Sequence, residues 1–559
     1  MTEIETTVLI VGGGPIGLLG AQLLGRRNVR TLLAEKHQSR LDAPKAHALN
    51  PRSLEICAAA GLPMDEIHAV ATPSHEGRHV RMVETLVKPQ IGSLIYERQD
   101  EAVRELTPWP LINIEQPKFE AIVEQAVANL PAVDVLRGLE WQSCLQLGGA
   151  VISTLLDRAT GQQVKVRSRY LIAADGAGSA VRDAVGIAMD GPERLANNMM
   201  IHFEADLRTL VGDQPAILYF LFGPERGGVL IAYDIGKTWV MMHRCGPDAD
   251  VADFDEARCR KLIFAAIGAE PADLKIKGVR SWFMSAQTAR RYRDLNVFLV
   301  GDAGHRFPPT GGLGLNTGVG DIDNLAWKIA AVEQGWAGLD LLDSYDAERR
   351  NIAETNMGQS LSNALRMTAL FEALGYGPDQ TVDAATFSAR LSDPEARAKV
   401  DAAVDFQKDH FDSLRLQLGF AYGDALRADD QLPISQFTPK AVVGARLPHL
   451  LLADGRSTLD LVAFDGFTLI AGRDVSKADL GAANHPAPLT LCIEGQDFAA
   501  AQGDCCGRLG LSRSGGLLVR PDGHILAVYP DIRDVLGLAG PTSDIAAFVG
   551  SAPQPQTVA

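Results

Sequence analysis

A charge-free run that breaks into strand, glycine turn and helix opens the chain, and two later apolar strands each end at an Asp beside a Gly. Together they predict an α/β protein built on a Rossmann-type dinucleotide-binding domain. The three signals centre on Gly12, Asp175 and Asp302, so the domain is discontinuous in sequence. At 559 residues the chain exceeds what one hydrophobic core usually serves, and two or three domains follow.

The first element is "TTVLIVGGGPIGLLGAQLLGRRNVRTLLAEK". Residues 8–11 are fully apolar, as a central parallel strand requires. Apolar residues then recur at helical spacing through Leu24, with Arg26 and Arg27 near the end, where the helix dipole favours cations. A second strand runs to Glu35. Gly12 permits the tight turn, Gly14 lets a pyrophosphate approach the backbone at a helix N-terminus, and Gly17 lets helix and strand pack closely. Glu35 can accept hydrogen bonds from ribose hydroxyls and disfavours a 2′-phosphate. Pro15, Ile16 and Lys36 complete the residues expected along this cofactor. The motif alone does not separate FAD from NAD.

The second element, "SRYLIAADGAGSAVRDAVGI", is an apolar strand ending in Asp175-Gly176, with Ser179 and Arg182 opening a helix. The third is "NVFLVGDAGHRFPPTGGLGLNTGVGD": a strand over 297–300, then Gly301-Asp302, a Pro-Gly loop, and a helix from near Gly314.

In order and rough spacing, GGGPIG, ADGAGSAVR and VGDAGHRFPPTGGLGLNTG resemble the single-component flavoprotein aromatic hydroxylases of the para-hydroxybenzoate and phenol hydroxylase type. The resemblance extends through "APKAHALNPRSLEI", "INIEQPKFEAIV", "HFDSLRLQLGFAYGD" and "VGARLPHLLLADGRSTLDLVAFDGFTLIAG", nearly the whole chain. It implies bound FAD and NAD(P)H as a transient co-substrate. It assigns Asp302 to the ribityl chain, Asp175 to the pyrophosphate and NAD(P)H side, and Gln116 and Lys45 to FAD. Many relatives have Arg where Lys45 stands, and Lys loses the bidentate phosphate geometry. The backbone at Gly314, Leu315 and Asn316 is expected at the flavin N1/O2 edge, with the positive end of a helix behind it. Small residues are needed there because backbone must lie against a flat ring. No second dinucleotide-binding fingerprint appears in the sequence, which suits transient reduction by NAD(P)H.

The resemblance also implies the architecture: a discontinuous Rossmann-type FAD domain (1–70, 105–185, 285–355), an antiparallel-sheet substrate domain (71–104, 186–284), a helical segment (356–432), a thioredoxin-like C-terminal domain (433–550) and a disordered tail (551–559). "NNMMIHFEADL", "PAILYFLFGP", "GGVLIAYDIG" and "TWVMMHRCG" read as strands of the substrate sheet. The C-terminal segment has no CxxC, so packing or dimer contact is its expected role rather than thiol chemistry.

By the same resemblance the activity is hydroxylation of a phenolic or polycyclic aromatic substrate by a flavin C4a-hydroperoxide, with O2 and NAD(P)H consumed and a homodimer expected. Pro309 and Gly312 belong to the loop shaping the oxygen pocket; His202, Tyr219 and His243 are the strand residues that could deprotonate a phenol, each set against an ordinary packing role. Arg244 and Trp239 could also touch substrate, and the apolar run 217–222 suggests an aromatic one. Alternatives are Baeyer–Villiger or epoxidising oxygenation on the same fold, or a flavin dehydrogenase or oxidase without oxygen insertion. "HEGRH" at 75–79 imitates a zinc-hydrolase motif, but Pro73 precedes it and Gly77 interrupts it, so no metal site is expected.

Bulk properties narrow the field further. A 46% hydrophobic and 22% charged composition is that of a soluble globular protein. A formal net charge of −16 and a pI near 5.3 argue against nucleic acid and leave no basic stripe for a membrane. Residues 6–25 carry no charge, but acidic residues precede them and Gly12 to Pro15 break the middle, so no membrane span is expected. Seven scattered cysteines without CxxC spacing point to reduced thiols and a cytoplasmic setting, with Cys505 and Cys506 a buried pair.

Overall fold

The first apolar run becomes the strand Thr2–Val11, the middle of a parallel sheet in the computed structural model, which describes residues 2–40, 46–223, 228–377, 381–423, 433–476, 485–532 and 540–550. It pairs on one side with Thr31–Glu35 and on the other with Gln163–Ala173, which in turn pairs with Val297–Leu299. The three motif strands are therefore neighbours, and their C-terminal ends, where an open α/β sheet binds ligands, lie side by side. Val133–Arg137 adds an edge, and the hairpin Leu139–Leu147 and Ala150–Asp157 pairs antiparallel with the far half of Gln163–Ala173. Central residues Val8, Leu9, Ile10, Leu171 and Ile172 are wholly buried, as a strand covered on both faces demands.

A second, seven-stranded sheet runs in the order Lys275–Met284, Ala196–Glu204, Thr238–Cys245, Gly228–Asp234, Leu218–Leu221, His79–Val83, Gln90–Ile95. The four strands read from sequence are its middle. It is antiparallel except where Leu218–Leu221 meets His79–Val83 in parallel. One face packs on the helix Glu256–Ile267 through Met199, Ile201, Phe203, Tyr219, Trp239 and Met241. The other face carries Met200, Leu218, Ile231, Tyr233, Val240 and Met242.

The helix Ser344–Ala373 begins the helical stretch. The last unit is a four-stranded sheet, order Leu489–Ile493, Phe467–Ala471, Gly516–Val519, Ile525–Tyr529, followed by the helix Gly540–Val549. Its first pair is parallel and the others antiparallel, the thioredoxin-like arrangement. Cys505 and Cys506 are buried free thiols there, and burial pushes Cys505 up to about 12, far from a reactive thiolate. The tail 551–559 lies outside the described residues. No helix among the described residues is long and apolar enough to cross a membrane.

The seven-stranded sheet is tied to the helical stretch at Glu97. This residue takes a left-handed backbone (φ +47°) and is 2% exposed. Its carboxylate accepts from Ser413 N, Ser413 Oγ and Gln417 Nε2, each at 2.8 Å. Burial raises its pKa from 4.5 to about 7, opposed by the bonds from Ser413 and Gln417. The fold then holds a proton that the unfolded chain has released, so stability falls as pH rises from 4.5 to about 7. Thermal scans across that window should show the decline in the wild type and a shallower one in Glu97→Gln; identical slopes would refute this titration.

Candidate active site

The glycine turn after Thr2–Val11 is shaped by contacts only glycine tolerates. Gly12 has φ +108°, and a Cβ there would stand 2.3 Å from the Ala174 carbonyl oxygen. A Cβ on Gly17 would stand 2.0 Å from the Gly12 oxygen. At Gly14 a Cβ would meet nothing within 4 Å. The helix Pro15–Arg26 starts here with Pro15 in its first turn and no capping side chain, so its leading N–H groups face that open ground. One oxygen of Glu35 accepts from Gly13 N at 2.7 Å and the other from His37 N at 2.8 Å. Each keeps accepting capacity for a ribose hydroxyl. Lys36 is exposed beside it.

Asp175 follows Gln163–Ala173. One of its oxygens accepts from Val181 N at 3.2 Å; the other is buried with no partner among the described residues, and burial raises the carboxyl above its ordinary value. Asp302 sits exposed on the single turn Gly301–Ala303. Ile16 joins the first and third motifs. Its side chain lies 3.2 Å from a Cβ position on Gly301 and 3.0 Å from one on Gly318, so neither glycine can carry a side chain without displacing it. Gln116 accepts from Ala46 N at 3.2 Å and donates to Glu120 at 2.7 Å. Lys45 lies outside the described residues.

The Pro-Gly loop climbs past exposed Pro309, whose carbonyl accepts from Gly312 N at 3.2 Å. Gly311 and Gly312 take positive φ, +97° and +62°, and Gly312 caps the helix Leu313–Glu333 without a side-chain bond. The first-turn N–H groups around Gly314 and half-buried Leu315 thus have no side-chain acceptor. Asn316 fixes this turn. Its Oδ1 accepts from Asn50 N (2.9 Å) and Ser53 Oγ (2.7 Å), and its Nδ2 donates to Ala48 O (3.0 Å) and Gly312 O (2.7 Å). The side chain is spent on structure, leaving only backbone for a flavin. The open ground over Gly14, the orphaned Asp175 oxygen, exposed Asp302 and the uncapped helix fit an extended dinucleotide ending in a ring with an anionic reduced form.

Strand alternation separates the three base candidates. Tyr219 and His243 stand on the sheet face turned to the helix Glu256–Ile267. The Tyr219 hydroxyl donates to Gln214 O at 2.9 Å, and the His243 ring packs on Phe254. Trp239 shares that face, 6.4 Å from Phe203. These side chains are packing, because a one-residue step along a strand reverses the face. His202 alternates with Ile201 and Phe203 and shares the opposite face with Met200.

That face meets the Pro-Gly loop at a corner the motifs did not reveal. His47 Nδ1 lies 2.9 Å from Asn113 Oδ1. The His47 ring meets Tyr233 edge-on at 5.9 Å and Tyr96 at 5.8 Å. The Tyr96 hydroxyl is 3.5 Å from a Cβ position on Gly312. The Tyr233 hydroxyl is buried with no partner among the described residues. His47 and Asn113 lay inside quoted motifs, but 66 residues apart no local pattern links them. Among the described residues no group of three or more His, Cys, Asp or Glu could hold a metal; in the HEGRH run, residues 74–77 form one turn and His79 starts a strand.

The glycines give a paired test. Gly14→Ala should leave the apoprotein's melting temperature unchanged and weaken FAD binding at least tenfold in a fluorescence titration, while Gly17→Ala should fail to fold. Wild-type FAD affinity in Gly14→Ala would move the pyrophosphate elsewhere.

Residues 5–360 match the family model described as FAD binding domain. The chain is 32% identical to a putative polyketide hydroxylase of Streptomyces halstedii, over 93% of this chain and 92% of that one. It is 31% identical to 2,4-dichlorophenol 6-monooxygenase of Delftia acidovorans, over 94% and 95%. Among solved structures, the flavin-dependent monooxygenase PieE in complex with FAD and substrate superposes with a TM-score of 0.89 at 30% identity, covering 98% of this chain and 100% of that one. Aklavinone-11 hydroxylase with FAD and aklavinone gives 0.80 at 26%, covering 98% and 100%. The chain belongs to the FAD-binding-domain family as a flavoprotein monooxygenase of the aromatic hydroxylase class.

Proposed function

We propose that this enzyme hydroxylates a phenolic ring, alone or in a polycycle, and that His47 is the base that activates it. The observation that carries this reading is the imidazole held between Tyr96 and Tyr233 where the substrate sheet meets Gly312. The names of the relatives, which include a dichlorophenol monooxygenase and polyketide hydroxylases, support the substrate class.

The chemistry supplied by bound FAD is reduction by NAD(P)H and activation of O2. The chain's own part starts at Asn113. Its Nδ2 donates to Gly77 O at 3.1 Å, which turns Oδ1 toward His47. His47 Nδ1–H therefore donates to Oδ1, and Nε2 is left as a lone pair. Burial lowers the His47 pKa below 6.5, so the ring is neutral at pH 7 and ready to accept a proton. A phenol hydroxyl against Nε2 gives up its proton there, leaving a phenolate whose ring carbons are more nucleophilic, while Asn113 holds the imidazolium in place. The orphaned Tyr233 hydroxyl can donate to an oxygen substituent of the substrate. Met200, Val240 and Met242 line an apolar wall that keeps water from the reacting centre. A homodimer and a cytoplasmic setting, the latter supported by seven free cysteines, complete this reading.

A substrate panel with isotopically labelled O2 tests the reaction: one labelled oxygen per NAD(P)H should enter the product, and H2O2 release without incorporation would defeat hydroxylation. His47→Gln should keep its FAD, lose about 10²–10³-fold in kcat/KM and lose the acid limb that the wild-type pH profile shows below 6.5. An unaltered profile would remove His47 from the role. Asp302→Ala should purify with little FAD.

A further inference from the structure

The C-terminal unit reaches the helix Leu313–Glu333 by two routes, each anchored on a buried ion pair made to a neighbouring helix. At the first, Arg446 Nε lies 2.7 Å from Glu55 Oε2, and Thr107 Oγ1 donates to Glu55 Oε1 at 2.6 Å. Glu55 belongs to the helix Pro51–Ala59, and the start of that helix, Asn50 N and Ser53 Oγ, holds Asn316 Oδ1. Asn316 reaches the Gly312 carbonyl at the tip of the flavin loop. At the second, Arg520 forks onto Glu348, Nη1 to Oε1 at 2.7 Å and Nη2 to Oε2 at 3.0 Å. Glu348 also accepts from Asn324 Nδ2 and Lys328 Nζ, each at 2.7 Å, and both residues are on Leu313–Glu333. Asp522 accepts from Trp327 Nε1 at 3.0 Å on the same helix, and its carbonyl accepts from Arg52 at 2.6 Å.

An apolar patch would suffice to dock one unit on another. Buried ion pairs carry a desolvation cost and fix geometry instead. Here they converge on the helix that presents its N-terminus to the flavin and on the short helix that braces its first turn.

We propose that Arg446, Arg520 and Asp522 are positioning residues for the flavin: the C-terminal unit sets the stance of the Leu313–Glu333 helix against the ring and thereby tunes FAD affinity and reduction potential. A retracted helix end stabilises the anionic reduced ring less, which lowers the potential.

The test compares holoenzyme variants Arg446→Lys and Asp522→Asn with Tyr529→Phe, which breaks a bond to Asp544 inside the C-terminal unit and touches neither route. The readouts are the FAD dissociation constant and the flavin midpoint potential. The two routed variants should weaken FAD binding about tenfold and lower the potential by about 30 mV, a tenfold change for a two-electron couple. Tyr529→Phe should lose thermal stability with no shift in potential. Unshifted potential and affinity in the routed variants would overturn the proposal, as would an equal shift in Tyr529→Phe. Asp522→Asn, which keeps its shape, decides if Arg446→Lys does not fold.

Discussion

Asp321 is wholly buried within the helix that faces the flavin loop, and its carboxylate takes bonds from three segments. Gly301 N lies 3.2 Å from it, His305 Nε2 2.9 Å and Arg349 Nε 2.9 Å. Burial alone would raise this carboxyl; Arg349 and His305 hold it below its ordinary value. Ionised, it fixes the turn that presents Asp302, the strand that follows, and the long helix Ser344–Ala373 carrying Arg349. The arginine reaches further, donating to Thr317 O at 3.0 Å and lying so close to Gly320 that a Cβ there would stand 2.7 Å from it. A buried pair of this kind is strongly destabilised by loss of either partner, about 3–5 kcal/mol. The cofactor corner therefore inherits its rigidity from a charge that never meets solvent.

Much of this was legible because glycine positions are read from backbone necessity. Gly12, Gly17 and Gly301 each stand where a side chain would collide, and local spacing reports that directly. The first strand's place in a parallel sheet likewise followed from its unbroken apolar run, whereas the pairing of the other two motif strands beside it came from the fold. The substrate side was less legible. Tyr219 and His243 read as well as His202 until alternation placed them on the outer face, because strand sequence gives the period and not which face is inward. His47, Tyr96 and Asn113 come from outside those four strands, and only the tertiary fold joins them to Tyr233. Three strands of the sheet, His79–Val83, Gln90–Ile95 and Lys275–Met284, carried too mixed a pattern to stand out; the last, on an edge, has only exposed and half-buried positions in no regular alternation.

The Leu313–Glu333 helix explains why so many polar side chains are buried in this molecule. Every position from Asn316 to Val332 is buried, so that stretch has no solvent face on which to leave its polar residues. Each must then find a partner inside. Asn316 serves the flavin loop, Asp321 the turn before it, and Asn324 and Lys328 reach Glu348 and through it Arg520. Lys328 feels the cost: burial lowers it to about 8 even with Glu348 against it. A helix buried on all sides by apolar residues could slide or rotate at little expense. One whose successive turns are bonded to different segments has a single seating, and that seating decides where its uncapped N-terminus points. The polar residues along its length therefore act at its tip, although few of them lie near it.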